Sequence, residues 1–292
     1  MALAPRTRRG YSAVSSEFQK FRESVGLEQN WPIPVQHLQQ FIVGLHKQGL
    51  APRTIKGKLA ALAFQAKARG LHDFSSDFRI RKMVEGWSKE RGRVKDARVP
   101  ISPELLMGIC RQWGSICRDE YEVALFRATG LLTFFAALRI SEVVAGSKGD
   151  ESRTALQLAD VQLRDGVMRL HIHRSKVDQW GKGVSVTLTQ CQIATICPVR
   201  AMEVYLSRRG TKQGYLFIHN DGSPLTRYQF WRFAKEALRR EGAHGLQFGT
   251  HSFRIGAAST AASLGYQPQD IKRIGRWAST TYRRYVRPLP NV

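Results

Sequence analysis

The chain is short of acid, short of cysteine and without a long apolar run, and each shortage closes off a class of protein. Only 23 Asp and Glu stand against 46 Lys and Arg in 292 residues, a net charge of +23. With a sequence pI of about 10.5, the excess attracts polyanions and opposes self-association in their absence. DNA or RNA is therefore the expected partner, although a generically basic protein of the ribosomal kind would share the composition. The cysteines, Cys110, Cys117, Cys191 and Cys197, form no Cys-x-x-Cys pair. That pattern speaks against a zinc site or a disulfide framework and for reduced thiols inside a cell. The longest apolar runs, such as Leu131 to Leu138, are too short to cross a bilayer, so no membrane association is expected. Arg6, Arg8 and Arg9 have no apolar segment behind them, so no signal peptide is expected.

What is present is enough apolar residue, 42%, for two cores of ordinary size. A basic arm at 1–11 precedes a helical stretch at 12–90. There Val14, Phe18, Phe21 and Val25 recur at helical spacing, as do Leu38, Phe41, Ile42 and Leu45. A third helix is expected to open on Thr54 as N-cap and stop at Gly70, and a fourth to bury Ile80, Met83, Val84 and Trp87. The polar, basic stretch 91–100 lacks apolar periodicity and reads as a linker, with a second domain at 101–292. In that domain Pro103–Trp113 and Tyr121–Val144 read as helices. Val167–His173 and Val184–Leu188 read as strands after an Asp165-Gly166 turn, and helix returns from Pro198. The fold class is mostly α with a small β-sheet.

Six residues then carry the chemistry. Arg139 closes an apolar segment in Ala-Leu-Arg-Ile-Ser-Glu, where a guanidinium needs an acceptor, and Glu142 can hold it. Lys176 lies in His-Arg-Ser-Lys between the two strands. His251 and Arg254 stand i, i+3 in His-Ser-Phe-Arg, on one face of a helix that Thr250 could cap. Trp277 follows in Gly-Arg-Trp and Tyr285 in Tyr-Arg-Arg-Tyr-Val-Arg-Pro. Each motif alone is weak. Together they offer forked donors for a phosphodiester, a nucleophile and proton carriers.

In order and spacing these motifs resemble the tyrosine recombinase (phage-integrase) family over nearly the whole chain. The likeness is strong over 130–288 and architectural over 12–90. It implies a helical core-binding domain followed by an α+β catalytic domain. It also implies that Arg139, Lys176, His251, Arg254, Trp277 and the nucleophile Tyr285 are catalytic, with Glu142 in support. Tyr282, one helical turn away, is the alternative nucleophile. The Gly-Arg-Trp-to-Tyr stretch most resembles enzymes of eukaryotic mobile elements, the DIRS and crypton kinds, which implies a nuclear location. The implied reaction cuts and rejoins double-stranded DNA through a 3′-phosphotyrosine, with no metal and no cofactor, in a tetramer on paired sites. Many family members carry a further helix after the tyrosine, whereas seven residues follow Tyr285 here, so a different assembly, a truncated chain or a weak assembly is expected. Arg53, Thr54, Lys56, Lys58, Lys67 and Arg174 are the expected DNA contacts. Two other readings share these residues: a DNA-binding protein descended from such an enzyme, and a type IB topoisomerase.

Overall fold

The computed structural model describes residues 3, 5–92, 96–150, 154–173 and 183–290. It divides into two compact units, Met1–Asp96 and Ala97–Val292.

The first unit is built from helices α1 (Pro5–Ser24), α2 (Val35–Lys47), α3 (Pro52–Ala68) and α4 (Phe78–Glu90). Phe18, Leu38, Phe41, Ile42, Ile55, Leu59, Leu62, Ile80 and Val84 form its buried core. Helix α1 starts inside the stretch expected to be an arm, and Val25 is exposed rather than part of its apolar face. Helix α3 starts two residues before Thr54. Pro52 sits at its first turn, where a missing N–H costs nothing, and Ala51 holds the cap position.

The second unit holds α5 (Pro103–Ile116), α6 (Glu120–Phe135), α7 (Ile140–Val143), α8 (Pro198–Arg209), α9 (Arg227–Arg240), α10 (His251–Ser263) and α11 (Pro268–Gly275). Ser102 caps α5, Asp119 caps α6 with Glu120 and Glu122 in its first turn, and Thr226 with Gln229 forms a capping box on α9. Strands β1 (Val161–Arg164), β2 (Val167–Ile172) and β3 (Val184–Thr189) form an antiparallel sheet in that order. Met168, Leu170 and Ile172 alternate into the core, as a half-buried strand requires. The four-residue β1 is too short to announce itself in the sequence. It pairs with β2 across the two-residue Asp165-Gly166 turn, whose φ values of 48° and 70° suit a hairpin.

The expected long helix Tyr121–Val144 is interrupted. Helix α6 ends at Phe135, and Ala137 takes a left-handed φ of 44°. The Ala137 N–H then donates to the Phe134 carbonyl at 2.9 Å and the Leu138 N–H to the Thr133 carbonyl at 3.0 Å. These two bonds close a Schellman end, normally built on glycine. Arg139 becomes the cap of the short α7 instead of lying mid-helix. Helix α10 packs against the extended 97–101 segment, with the Ile101 N–H on the Ser252 carbonyl at 3.1 Å. A Cβ on Gly256 would stand 2.1 Å from the Ile101 carbonyl oxygen, so only glycine permits this approach.

Candidate active site

The break after α6 places Arg139 at the edge of an open cleft of about 480 Å³. Ile140, Ser141, Arg227, Thr250, His251 and Tyr285 complete its lining. Arg139 is held there by Glu142, whose side chain is nearly inaccessible. Oε1 accepts from Arg139 Nη1 at 3.0 Å and Oε2 from the Arg139 backbone N–H at 2.9 Å. Oε2 also accepts from Arg276 Nη2 at 2.9 Å.

Arg254 behaves differently from the expected clamp. It is fully buried, with Nη1 donating to the Ala137 carbonyl and Nη2 to the Gly275 carbonyl. Both carbonyls lie at helix C-termini, the negative ends of α6 and α11, so one cation fastens two helix ends together. Its Nε is buried without an acceptor among the described residues. The guanidinium lies 4.6 Å from the centre of the Trp277 ring and 5.5 Å from that of Tyr285. Burial lowers its pKa, with Arg139 and Arg276 adding to the effect and Glu142 opposing it.

Trp277 is packed rather than displayed. Its ring lies against Gly275, where a Cβ would come within 1.8 Å of it, and its Nε1 is buried with no acceptor among the described residues. The Tyr285 ring follows at 4.8 Å. The two tyrosines, which share a helical turn in the sequence reading, part company in the 3-10 turn Thr280–Arg284. Tyr282 is buried in a small apolar cluster with Ala258, Ala261, Ile271 and Trp277, while Tyr285 lines the cleft. Ser259 of α10 fixes the second tyrosine's backbone. Its Oγ donates to the Tyr285 carbonyl at 3.2 Å and accepts from the Arg287 N–H at 2.9 Å.

His251 is half-buried on the cleft wall. Its pKa falls to about 4, first through burial and then through the charges of Arg98, Arg254, Arg227 and Arg139. The imidazole is therefore neutral near pH 7, with one ring nitrogen able to accept a hydrogen bond. Thr250 does not cap the helix as expected. Its backbone is already helical, and it is the Ser252 hydroxyl that accepts from the Gly249 N–H at 3.1 Å.

Thus Arg139, Glu142, His251, Arg254, Trp277 and Tyr285 come together, while Lys176 and Arg174 lie outside the described residues. In the first unit Arg53, Thr54 and Lys56 are exposed on α3, whereas Lys58 is paired with Glu17 and Lys67 with Asp73 at 3.0 Å. Among the described residues no three His, Cys, Asp or Glu side chains group closely enough to hold a metal ion, and no helix is long and apolar enough to cross a membrane. Sequence reasoning missed Arg227 and Arg98. Arg227 opens α9, the end of a helix where a cation is disfavoured, and that misplacement was the available signal. Arg276 stood inside a quoted motif without a role.

A phenol on the wall of a cleft, beside an anchored arginine and a neutral imidazole and above a buried guanidinium, offers the groups that nucleophilic attack on a phosphodiester requires. The chain belongs to the phage integrase family, whose model matches residues 127–291. It is 24% identical over 300 residues to the integrase/recombinase xerD homolog of Selenomonas ruminantium, covering 97% of this chain and 82% of that protein. Lambda integrase (75–356), solved as a dimer bound to a COC′ core site, superposes with a TM-score of 0.65 at 13% identity, covering 100% of this chain and 93% of that one. XerH recombinase, in a post-cleavage complex with difH, gives 0.59 at 17% identity, covering 87% and 69%. At these identities the two structural likenesses establish the fold.

Proposed function

We propose that the chain is a site-specific DNA recombinase that breaks and rejoins strands through a 3′-phosphotyrosine. The observation that carries this is Tyr285 on the same cleft wall as Arg139 and His251, with Arg254 behind its ring. The phenolic oxygen forms a bond to phosphorus as its proton passes to neutral His251, and the bond from phosphorus to the 5′-oxygen breaks. Arg139 neutralises the non-bridging oxygens through its fork, and Arg254 adds charge from the buried side. By the family resemblance Lys176 protonates the departing 5′-oxygen, a step typically worth roughly 10²–10⁴ in rate. The phosphotyrosine ester retains the energy of the broken bond, so religation needs no nucleotide.

The first unit is read as the core-binding domain, with Arg53, Thr54 and Lys56 toward phosphates. A tetramer on paired sites, a mobile-element origin of the DIRS or crypton kind and a nuclear location belong to the same proposal. The Gly-Arg-Trp-to-Tyr spacing supports the origin; the mass of the assembled complex and imaging of a tagged chain test the assembly and the location.

The decisive experiment incubates the protein with a random-sequence pool of nicked duplexes and excess chelator. A denaturant-stable protein–DNA adduct is expected, and sequencing its DNA reveals the site. Absence of any adduct, with or without chelator, overturns the proposal.

A further inference from the structure

Arg276 has no assigned part in the chemistry above, yet it is tied into the site more tightly than Tyr285. Its Nη2 holds Glu142 Oε2 at 2.9 Å, on a carboxylate whose other oxygen holds Arg139. The pair is buried, with 14% of the Arg276 side chain and 4% of that of Glu142 accessible. Arg276 occupies this place at a cost to its backbone. It is the residue after α11, with a left-handed φ of 55°, and its N–H donates to the Arg273 carbonyl at 3.2 Å while that of Trp277 donates to the Lys272 carbonyl at 2.9 Å. That is the same glycine-type helix end formed by Ala137 after α6. Two of the three non-glycine residues with positive φ in the described chain therefore flank this one site. A glycine would close α11 without strain, so the side chain is what gives an arginine its value there.

Charge and unspent donors point the same way. Arg139, Arg254 and Arg276 surround a single carboxylate, leaving the cluster two units positive. A phosphodiester under attack by a phenolate is two units negative. Arg276 Nη1, Arg254 Nε and Trp277 Nε1 are all buried without an acceptor among the described residues, and a buried donor left unpaired is costly. The surplus of two positive charges beside the cleft suits an anion that is not part of the chain.

We infer that Arg276 is a positioning residue of the cleavage reaction. It clamps Glu142 from the side opposite Arg139, so that the Arg139 fork faces the cleft, and it supplies one of the two surplus positive charges. This rests on the cleavage reading above. Its substitution acts on the chemical step and not on DNA affinity, because Arg276 does not line the cleft.

The test measures single-turnover adduct formation at saturating protein, together with Kd and thermal midpoint, on the nicked duplex recovered by trapping. Arg276→Met should slow adduct formation by about 10²-fold, the scale of losing one preorganised charge-stabilising donor, with Kd unchanged. Arg276→Lys keeps the charge without the fork and should recover only part of the rate. In a Glu142→Gln background, where the clamp is already broken, Arg276→Met should have little further effect. Wild-type rates for Arg276→Met, full additivity with Glu142→Gln, or a defect confined to Kd would each overturn the inference. If Arg276→Met does not fold, Arg276→Lys decides alone, and an unimpaired rate rejects the clamp. An unaltered chain that forms no adduct defeats the cleavage reading itself, an outcome seen before any Arg276 variant is made.

Discussion

Two arginines of the second unit, Arg209 and Arg254, are both buried, and both donate to backbone carbonyls. Arg209, at the end of α8, gives Nε to the Leu216 carbonyl at 2.7 Å, Nη1 to those of Gly210 and Lys212, and Nη2 to that of Tyr215. All its nitrogens are used, and it is not among the residues that line the cleft. Arg254 spends two nitrogens on carbonyls and keeps Nε buried and unused, behind a tyrosine that faces the cleft. Arg209 holds a loop together, whereas Arg254 lies amid two more arginines and a single carboxylate, a cluster with a surplus of positive charge. Burial alone does not separate the two; what sets Arg254 apart is the pair of aromatic rings and the charges packed around it.

The sharpest way to break this comparison is to remove the nucleophile from the second region. Tyr285→Phe should abolish the covalent adduct while leaving duplex affinity intact, since only a hydroxyl is lost. Tyr282→Phe, altered inside an apolar cluster, should still form adduct. Gel analysis of trapped complexes reads both, and a reversal of the two would reassign the nucleophile.

The arginines themselves come next. Arg254→Lys should slow adduct formation by about 10²–10³-fold, as expected for loss of preorganised charge stabilisation. Arg209→Met should leave the rate per folded molecule unchanged and lower stability by about 1–3 kcal/mol, the cost of stranding buried acceptors. Denaturant unfolding and single-turnover kinetics on each variant keep the two effects apart. Equal rate defects would erase the distinction.

His251 sharpens the electrostatic side. Its folded pKa of about 4 lies below the ordinary 6.5, so between those values the unfolded chain binds a proton that the folded chain refuses. Stability should therefore rise with pH from 4 to 6.5 and fall on acidification through that window. His251→Asn should flatten this part of the profile. An NMR titration midpoint near 6.5 in the free protein would show that neither burial nor the arginines act on the ring.

The smallest effects belong to the first unit. Arg53→Gln should lessen the log–log salt dependence of nonspecific duplex binding by about one unit. Lys58→Gln should change it little, because Lys58 is already paired with Glu17. Equal changes for both would mean that the intramolecular pair opens on DNA.

The sequence disclosed the members of the site better than their postures. Arg139 with Glu142, the His251–Arg254 spacing and the tyrosine near the end were legible because local motifs carry them. The helix break at Ala137 was not, since Ala-Ala-Leu after an apolar run favours continuing the helix. The Arg254 guanidinium also donates to the Ala137 carbonyl at this turn, a tertiary contact that no local spacing announces. Trp277 and Arg254, read as hydrogen-bond donors to a phosphodiester, are packed inside, because the face of α10 that carries Arg254 is enclosed by α6 and α11. Arg227 and Arg98 reach His251 from elements remote in sequence, so no local spacing could have joined them.

The hydroxyl of Ser259 bears on ownership. It ties the Tyr285 backbone to α10, the same helix that carries His251 and Arg254, and the Trp277 ring closes over the junction. In the proposed reaction, a tyrosine fastened in this way would serve its own cleft and would not be lent to a neighbouring molecule. Two populations, one lacking the nucleophile and the other lacking Arg254, would then fail to complement each other when mixed on the same DNA. Each protomer would be answerable for a single strand.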